Sequence, residues 1–344
     1  MNNWLLPIWK DGIVYDESVL PMENAEGVLE SIPMLYCMDK ILSVRSADLQ
    51  TDYHEGVDYE LEEGRLKILP SGNISAMKYD EYYFEEERKG KCFPCTKGGY
   101  IYWTETGEFH TRQLVVTYMH KDTWTGKTPE LQGKKLPHIL KKMRCQEEAN
   151  IVFYGDSITA GSNVSSEIQQ NPYLERWSQL VVKALQDKHQ NHNIVHMNTA
   201  VGGMTSTWGR ENAKERVAQL RPDLLCLGFG MNDGHMTNDE YGENIKSIIE
   251  TTRRESPMCD IILVATMLPN KETAGFWGNQ INFLSVLESI ARQYENVAIA
   301  DMTTMHQDLL KKKRIFDMTG NNVNHPNDYL VRIYAQVVLE TLSV

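Results

Sequence analysis

Hydrophobic positions follow two different rhythms along this chain, and the change falls near residue 140. From Asn150 onward, short apolar runs at Ile151 to Tyr154, Ile194 to Asn198, Leu224 to Phe229, Ile261 to Met267 and Val297 to Ala300 alternate with helical stripes. Near-continuous apolar runs suit strands covered on both faces. Trp177, Leu180, Val181 and Leu185 share one helical face, as do Tyr241, Ile245, Ile248 and Ile249. Leu284, Leu287 and Ile290 form a third stripe, and Leu330, Ile333, Tyr334 and Val337 a fourth. Five strands alternating with helices predict a parallel sheet joined by right-handed crossovers.

Before residue 140 helical periodicity is scarce. Short β-rich runs at Leu42 to Val44, Tyr59 to Leu61, Arg65 to Leu69, Tyr100 to Thr104 and Gln113 to Tyr118 are separated by turn signals such as Glu63-Gly64, Gly98-Gly99 and Thr106-Gly107. This half predicts an antiparallel β domain, a small sandwich or jelly roll. Lys121 to Lys135 is polar and turn-rich and reads as the crossing segment, and Leu136 to Met143 as a short helix after it. The expected division is residues 1–136 for the β domain and 137–344 for the α/β domain. A length of 344 residues accommodates both.

A net charge of −12 argues against phosphate backbones and anionic membranes, so neither nucleic acid nor membrane is an expected partner. No run approaches the roughly 20 apolar residues of a membrane span. Met1 to Lys10 (MNNWLLPIWK) has no basic start, long apolar stretch or small-residue cleavage site, so a cytoplasmic location is expected. Cys92-Phe93-Pro94-Cys95 lacks a second pair at zinc spacing and reads as two loop or strand thiols. No histidine cluster has metal spacing; His235, His196 and the His189/His192 pair read as surface or loop residues.

Four segments carry chemistry, each at the end of a strand or the start of a helix, where α/β folds expose loops to ligand. The first strand runs into Gly155-Asp156-Ser157-Ile158-Thr159-Ala160-Gly161. Taken alone, Ser157 reads more readily as a helix cap than as a nucleophile, and Asp156 as a brace for the loop. The second strand leads to Gly202-Gly203, the third to Gly230-Met231-Asn232-Asp233. His325 precedes Pro326, which is expected to open a helix running to about Thr341. There is neither a phosphate-binding GxxxxGK[ST] nor, at Ser157, a G-x-S-x-G elbow, because Thr159 stands at the second glycine.

Jointly and in this order, Gly155-Asp156-Ser157, Gly203, Asn232 and His325 resemble the SGNH (GDSL-type) hydrolase superfamily over about residues 150–344. The resemblance implies a flavodoxin-like three-layer α/β/α domain and a serine esterase without metal or organic cofactor. It makes Ser157 the nucleophile and His325 the base. It also implies that the Ser157 and Gly203 N–H groups, with Gly202 in reserve, and the Asn232 amide form the oxyanion hole. Each such donor is worth roughly 2.7–4 kcal/mol.

One position departs from the pattern. The superfamily places an aspartate three residues before the base, and this chain has Asn322. A Ser157–His325 dyad is therefore expected, with Asn322 as a neutral orienting partner; Asp317 and Asp328 are near enough in sequence to substitute. The β domain ahead of an SGNH domain resembles, in architecture only, two-domain carbohydrate esterases. The expected substrate is an acetylated oligosaccharide, with Trp277 and Trp208 as candidate sugar platforms. Lysophospholipase or thioesterase activity, and a carbohydrate-binding protein with a degenerate site, are the alternatives. Edge strands of the β domain leave homo-oligomerisation open.

Overall fold

The computed structural model describes residues 3–10 and 12–344; Met1, Asn2 and Asp11 fall outside the description, and with them part of the N-terminal segment read above. The N-terminal half is built from short antiparallel strands. They are β1 (Ile13–Val19), β2 (Lys40–Ser46), β3 (Asp52–Tyr53), β4 (Tyr59–Glu62), β5 (Arg65–Ile68), β6 (Tyr83–Phe84), β7 (Cys92–Pro94), β8 (Tyr100–Tyr102) and β9 (Leu114–Met119). They form a sheet of order β1-β9-β2-β3, a β4-β5 hairpin and a small sheet of order β6-β8-β7. β1 escapes the alternation rule because it is bulged. Its register shifts between Val14 and Glu17, where Asp16 has φ 45°, and Glu17 points into the interior.

The second half is a parallel sheet flanked by helices, a three-layer α/β/α domain. Its strands are β10 (Ala149–Gly155), β11 (Ile194–Asn198), β12 (Leu224–Gly228), β13 (Asp260–Ala265) and β14 (Val297–Asp301), in the order β11-β10-β12-β13-β14. The order reverses between β10 and β12, so the loops following these two strands diverge and leave a crevice at the sheet's C-terminal edge. The apolar stripes become the helices Trp177–His189, Asn238–Glu255, Phe283–Gln293 and Asp328–Thr341. The helices Ser206–Arg216 and Met302–Leu310 were not evident from periodicity; the first buries only Ser206, Gly209 and Ala213. The last helix begins two residues later than expected. Asn327 caps it through Leu330 N at 3.2 Å, whereas Pro326 pairs with Thr319 outside it.

The halves share a core. Val19, Tyr36, Val116 and Tyr118 of the β domain cluster with Leu330, Ile333 and Val337 of the last helix. Polar anchors cross the same junction. Lys313 and Glu17 form a fully buried ion pair at 2.6 Å, and Lys313 Nζ also donates to Ser18 O at 2.9 Å. Gln113 Nε2 donates to the carbonyls of Phe316 and Thr319 at 2.8 and 2.9 Å. The free thiols Cys92 and Cys95 lie on and just after β7. No helix among the described residues is long and apolar enough to cross a membrane.

Candidate active site

Ser157 opens a one-turn helix immediately after β10, capped by Asp156, whose Oδ1 accepts from Ile158 N at 3.0 Å. Such a sharp exit depends on Gly155. It pairs with Gly228, and a Cβ there would sit 2.2 Å from Gly228 O, so only glycine lets β10 and β12 approach this closely. Ser157 Oγ lies 2.9 Å from His325 Nε2, and both residues are more than nine-tenths buried.

The loop carrying His325 is stiffened by its own amides. Asn321 Oδ1 accepts from the N–H groups of Val323, Asn324 and His325 at 3.0, 3.0 and 3.1 Å, and Gly320 N donates to His325 O at 2.9 Å. Asn322, the expected orienting partner, does not meet the ring. Its backbone is left-handed at φ 68°, which turns the side chain away toward the β domain. There Tyr82 Oη donates to Asn322 Oδ1 at 3.0 Å, and Asn322 Nδ2 donates to Tyr102 O at 2.8 Å. Asp317 is engaged by Arg314 at 2.9 Å, and Asp328 accepts from Ser165 N at 2.8 Å, so neither substitutes.

Two residues that sequence reasoning missed occupy the other ring nitrogen. His325 Nδ1 lies 2.5 Å from Asn163 Oδ1 and 3.2 Å from Glu105 Oε2. Asn163 Nδ2 donates to Glu105 O at 3.4 Å, which sets the amide oxygen toward the ring and makes Nδ1 the protonated nitrogen. Nε2 is then free to accept the Ser157 proton. Glu105 lies on the β domain, 220 residues from His325 in sequence, and its only local signal was the turn at Thr106-Gly107.

On the far side of Ser157 lie the candidate oxyanion donors. Gly203 has φ 77°, a left-handed conformation suited to glycine, and its N–H has no protein acceptor among the described residues. Gly202 flanks Ser157 more closely; a Cβ there would stand 3.8 Å from Ser157 Cβ. Asn232 spends one amide proton on Met204 O at 3.1 Å and keeps the other.

Two buried aspartates fasten these loops together. Asp156 Oδ2 accepts from Met231 N at 3.3 Å, and Asp233 Oδ1 accepts from Ser206 N and Oγ at 2.8 and 2.7 Å. Burial pushes Asp156 up to about 7, against the pull of its two N–H donors and with help from the neighbouring Asp233 charge. Asp233 is raised as well, chiefly by burial. The native protein therefore holds a proton on Asp156 that the unfolded chain releases near its ordinary pKa of about 3.9. The contribution of Asp156 to stability is accordingly expected to be fully present below about pH 4 and to be lost as pH rises toward about 7. Urea unfolding of wild type and Asp156→Asn at several pH values tests this: the wild-type slope should be steeper by about one proton. Equal slopes would show that Asp156 ionises normally.

The aromatic candidates separate. Trp208 is half-buried under the Arg216 guanidinium, 4.9 Å from the ring centroid, and packs against Tyr154. Trp277 is 37% exposed. Its segment is tied to the Asn232 loop through Asn279 N–Gly234 O at 2.7 Å and Gln280 Nε2–Met231 O at 3.1 Å. Beside it runs an aromatic row the sequence did not suggest: Phe276 meets Phe93 edge-on at 6.1 Å, and Phe93 meets Trp103 at 6.4 Å. The row links the Trp277 loop to the Glu105 loop. His196, read as a surface or loop residue, is instead a half-buried strand residue with Nε2 3.0 Å from Ser178 Oγ.

Comparison with known proteins gives the following matches. The GDSL-like Lipase/Acylhydrolase family model covers residues 153–331. Esterase TesA of Pseudomonas aeruginosa is 24% identical over 157 residues, 45% of this chain and 68% of that protein. Among solved structures, a two-domain esterase (CEX) active on acetylated mannans aligns at 19% identity and TM-score 0.49, over 60% of this chain and 53% of its own. A catalytic mutant of Axe2, an acetylxylan esterase from Geobacillus stearothermophilus, aligns at 20% identity and TM-score 0.47, over 56% of this chain and 94% of its own. The chain thus spans about half the length of the two-domain esterase it resembles.

Proposed function

We propose that this chain, which belongs to the GDSL-like lipase/acylhydrolase family and is a carboxylic ester hydrolase, removes short acyl groups, acetyl above all, from oligosaccharide esters through Ser157 and His325. The observation that carries the reading is the 2.9 Å contact between Ser157 Oγ and His325 Nε2. It sits at the C-terminal edge of the sheet, with candidate oxyanion donors across from it.

The chemistry is two-step acyl transfer. His325 Nε2 takes the Ser157 proton as Oγ attacks the ester carbonyl, and the N–H groups of Ser157 and Gly203 with the Asn232 amide receive the oxyanion. His325 then protonates the departing sugar hydroxyl, leaving an acyl-serine. Water attacks that ester with His325 again as base, and acid is released.

Support for a sugar leaving group comes from the rim. The loops that carry Asn232 and Glu105 are joined to the segment bearing the exposed Trp277, the first through Gln280 and the second through the half-buried Trp103–Phe93–Phe276 row. Aromatic faces beside hydrogen-bonding groups match a sugar ring, which presents C–H bonds on one face and hydroxyls at its edge. The test is an acyl-chain series, 4-nitrophenyl acetate, butyrate and octanoate, followed by acetate release from acetylated xylo- and manno-oligosaccharides, with Ser157→Ala as control. Rates should fall with chain length and vanish in the variant. Rates that rise toward octanoate would instead mark a lipid or thioester acylhydrolase. Undiminished turnover by Ser157→Ala would remove the nucleophile assignment.

A further inference from the structure

We propose that Glu105, carried by the β domain, is a positioning residue for His325 and supplies the negative charge that the Ser157–His325 pair otherwise lacks, so that the two domains share one active site. The inference rests on the esterase reading above and adds to it where the charge comes from.

A serine–histidine pair needs its imidazole held in one tautomer and stabilised when it becomes imidazolium. Asn163 does the first. Its oxygen, 2.5 Å from Nδ1, holds the N–H but carries no charge. At position 322, where the superfamily resemblance expects a carboxylate, there is an amide that faces Tyr82 and Tyr102. Among the described residues, the partners of the ring are Ser157, Asn163 and Glu105, and Glu105 is the charged one.

Its carboxylate is aimed rather than adrift. Oε2 faces Nδ1 at 3.2 Å, while Oε1 accepts from Asn321 Nδ2 at 3.0 Å; the same Asn321 orders the His325 loop through its other end. Burial raises the Glu105 carboxyl, but the His325 ring and the Asn321 amide outweigh it and hold it below the ordinary value, so it is ionised at neutral pH. The segment bearing Glu105 is fixed on both sides to the α/β domain. Asn322 Nδ2 donates to Tyr102 O at 2.8 Å before it, and His110 Nε2 meets Asn171 O at 2.6 Å after it. Gly107, with φ 74°, fits against Ile168, where a Cβ would come within 2.8 Å of the isoleucine side chain.

Because the Glu105 side chain is 46% exposed, solvent screens part of its field. Its removal should therefore cost less than the roughly 10⁴-fold reported for a buried triad aspartate. For Glu105→Gln in the full chain, kcat on 4-nitrophenyl acetate is expected to fall about 10- to 100-fold with KM within about twofold. The acidic limb of the kcat/KM profile should move to lower pH, since the imidazolium loses its anionic neighbour. Adding Asn163→Asp to this variant puts a carboxylate back on Nδ1 and should return the limb toward higher pH.

A purely structural role would lower activity without moving the limb. A limb that stays in place, a kcat within about threefold of wild type, or no return of the limb with Asn163→Asp would each overturn the inference. Inactive Ser157→Ala beside an unaffected Glu105→Gln overturns this inference alone. Active Ser157→Ala overturns the esterase site and this inference with it.

Discussion

Replacing His325 with alanine is expected to lower kcat on 4-nitrophenyl acetate by about 10⁴-fold or more while leaving the thermal unfolding midpoint within a few degrees of wild type. The size of the loss follows from the geometry. The proposed base, His325 Nε2, lies 2.9 Å from Ser157 Oγ. Without it the hydroxyl must attack as a neutral alcohol, and the departing alkoxide has no proton donor. What would remain is the contribution of oxyanion donors and binding, about 10³–10⁴ over water in a comparable enzyme. The two residues act as a unit, so Ser157→Ala combined with His325→Ala should be scarcely worse than either alone. Initial rates on all three variants, with circular dichroism to confirm folding, decide the matter. A His325→Ala enzyme within about tenfold of wild type would place the base elsewhere.

The largest effect on stability is expected at the domain junction. Lys313→Met should cost about 3–5 kcal/mol, because it strands the Glu17 carboxylate in a site of zero exposure. Glu17 also receives Tyr118 Oη at 2.6 Å and Leu35 N at 2.9 Å, but hydrogen bonds from neutral donors do not replace a countercharge. Combining Lys313→Met with Glu17→Gln should recover much of the loss, because no buried charge is then left unpaired. Urea unfolding followed by tryptophan fluorescence measures both. A single-variant loss below about 1 kcal/mol would show that water reaches Glu17.

The α/β half was legible because buried parallel strands and amphipathic helices leave periodic traces: each expected strand lies within about two residues of its observed limits. Ser157 and His325 were singled out by the resemblance that four ordered segments bear to the SGNH superfamily, not by periodicity, and the fold brings the two side chains to 2.9 Å. β1 was not legible. Its bulge at Asp16 and its inward-facing Glu17 break the alternation, and Glu17 is tolerable inside only because Lys313, 296 residues away, meets it. The orienting residue was misplaced on Asn322 because sequence spacing describes the chain near a residue. A φ of 68° turns Asn322 away, and its side chain is met there by Tyr82 and Tyr102 of the docked β domain.

By itself, then, the sequence determined what local patterning can encode: the alternation of strand and helix, the glycine-bounded loop holding Ser157, and the histidine preceding the last helix. Tertiary structure decided which groups meet the far side of that histidine. Asn163 and Glu105 carry no mark of it in their own neighbourhoods: Asn163 reaches the ring across 162 residues through the folding of the α/β domain itself, and Glu105 across 220 residues through the packing of the β domain against it. Packing of that kind depends on shape and charge summed over a whole interface, and no short stretch of chain contains that sum.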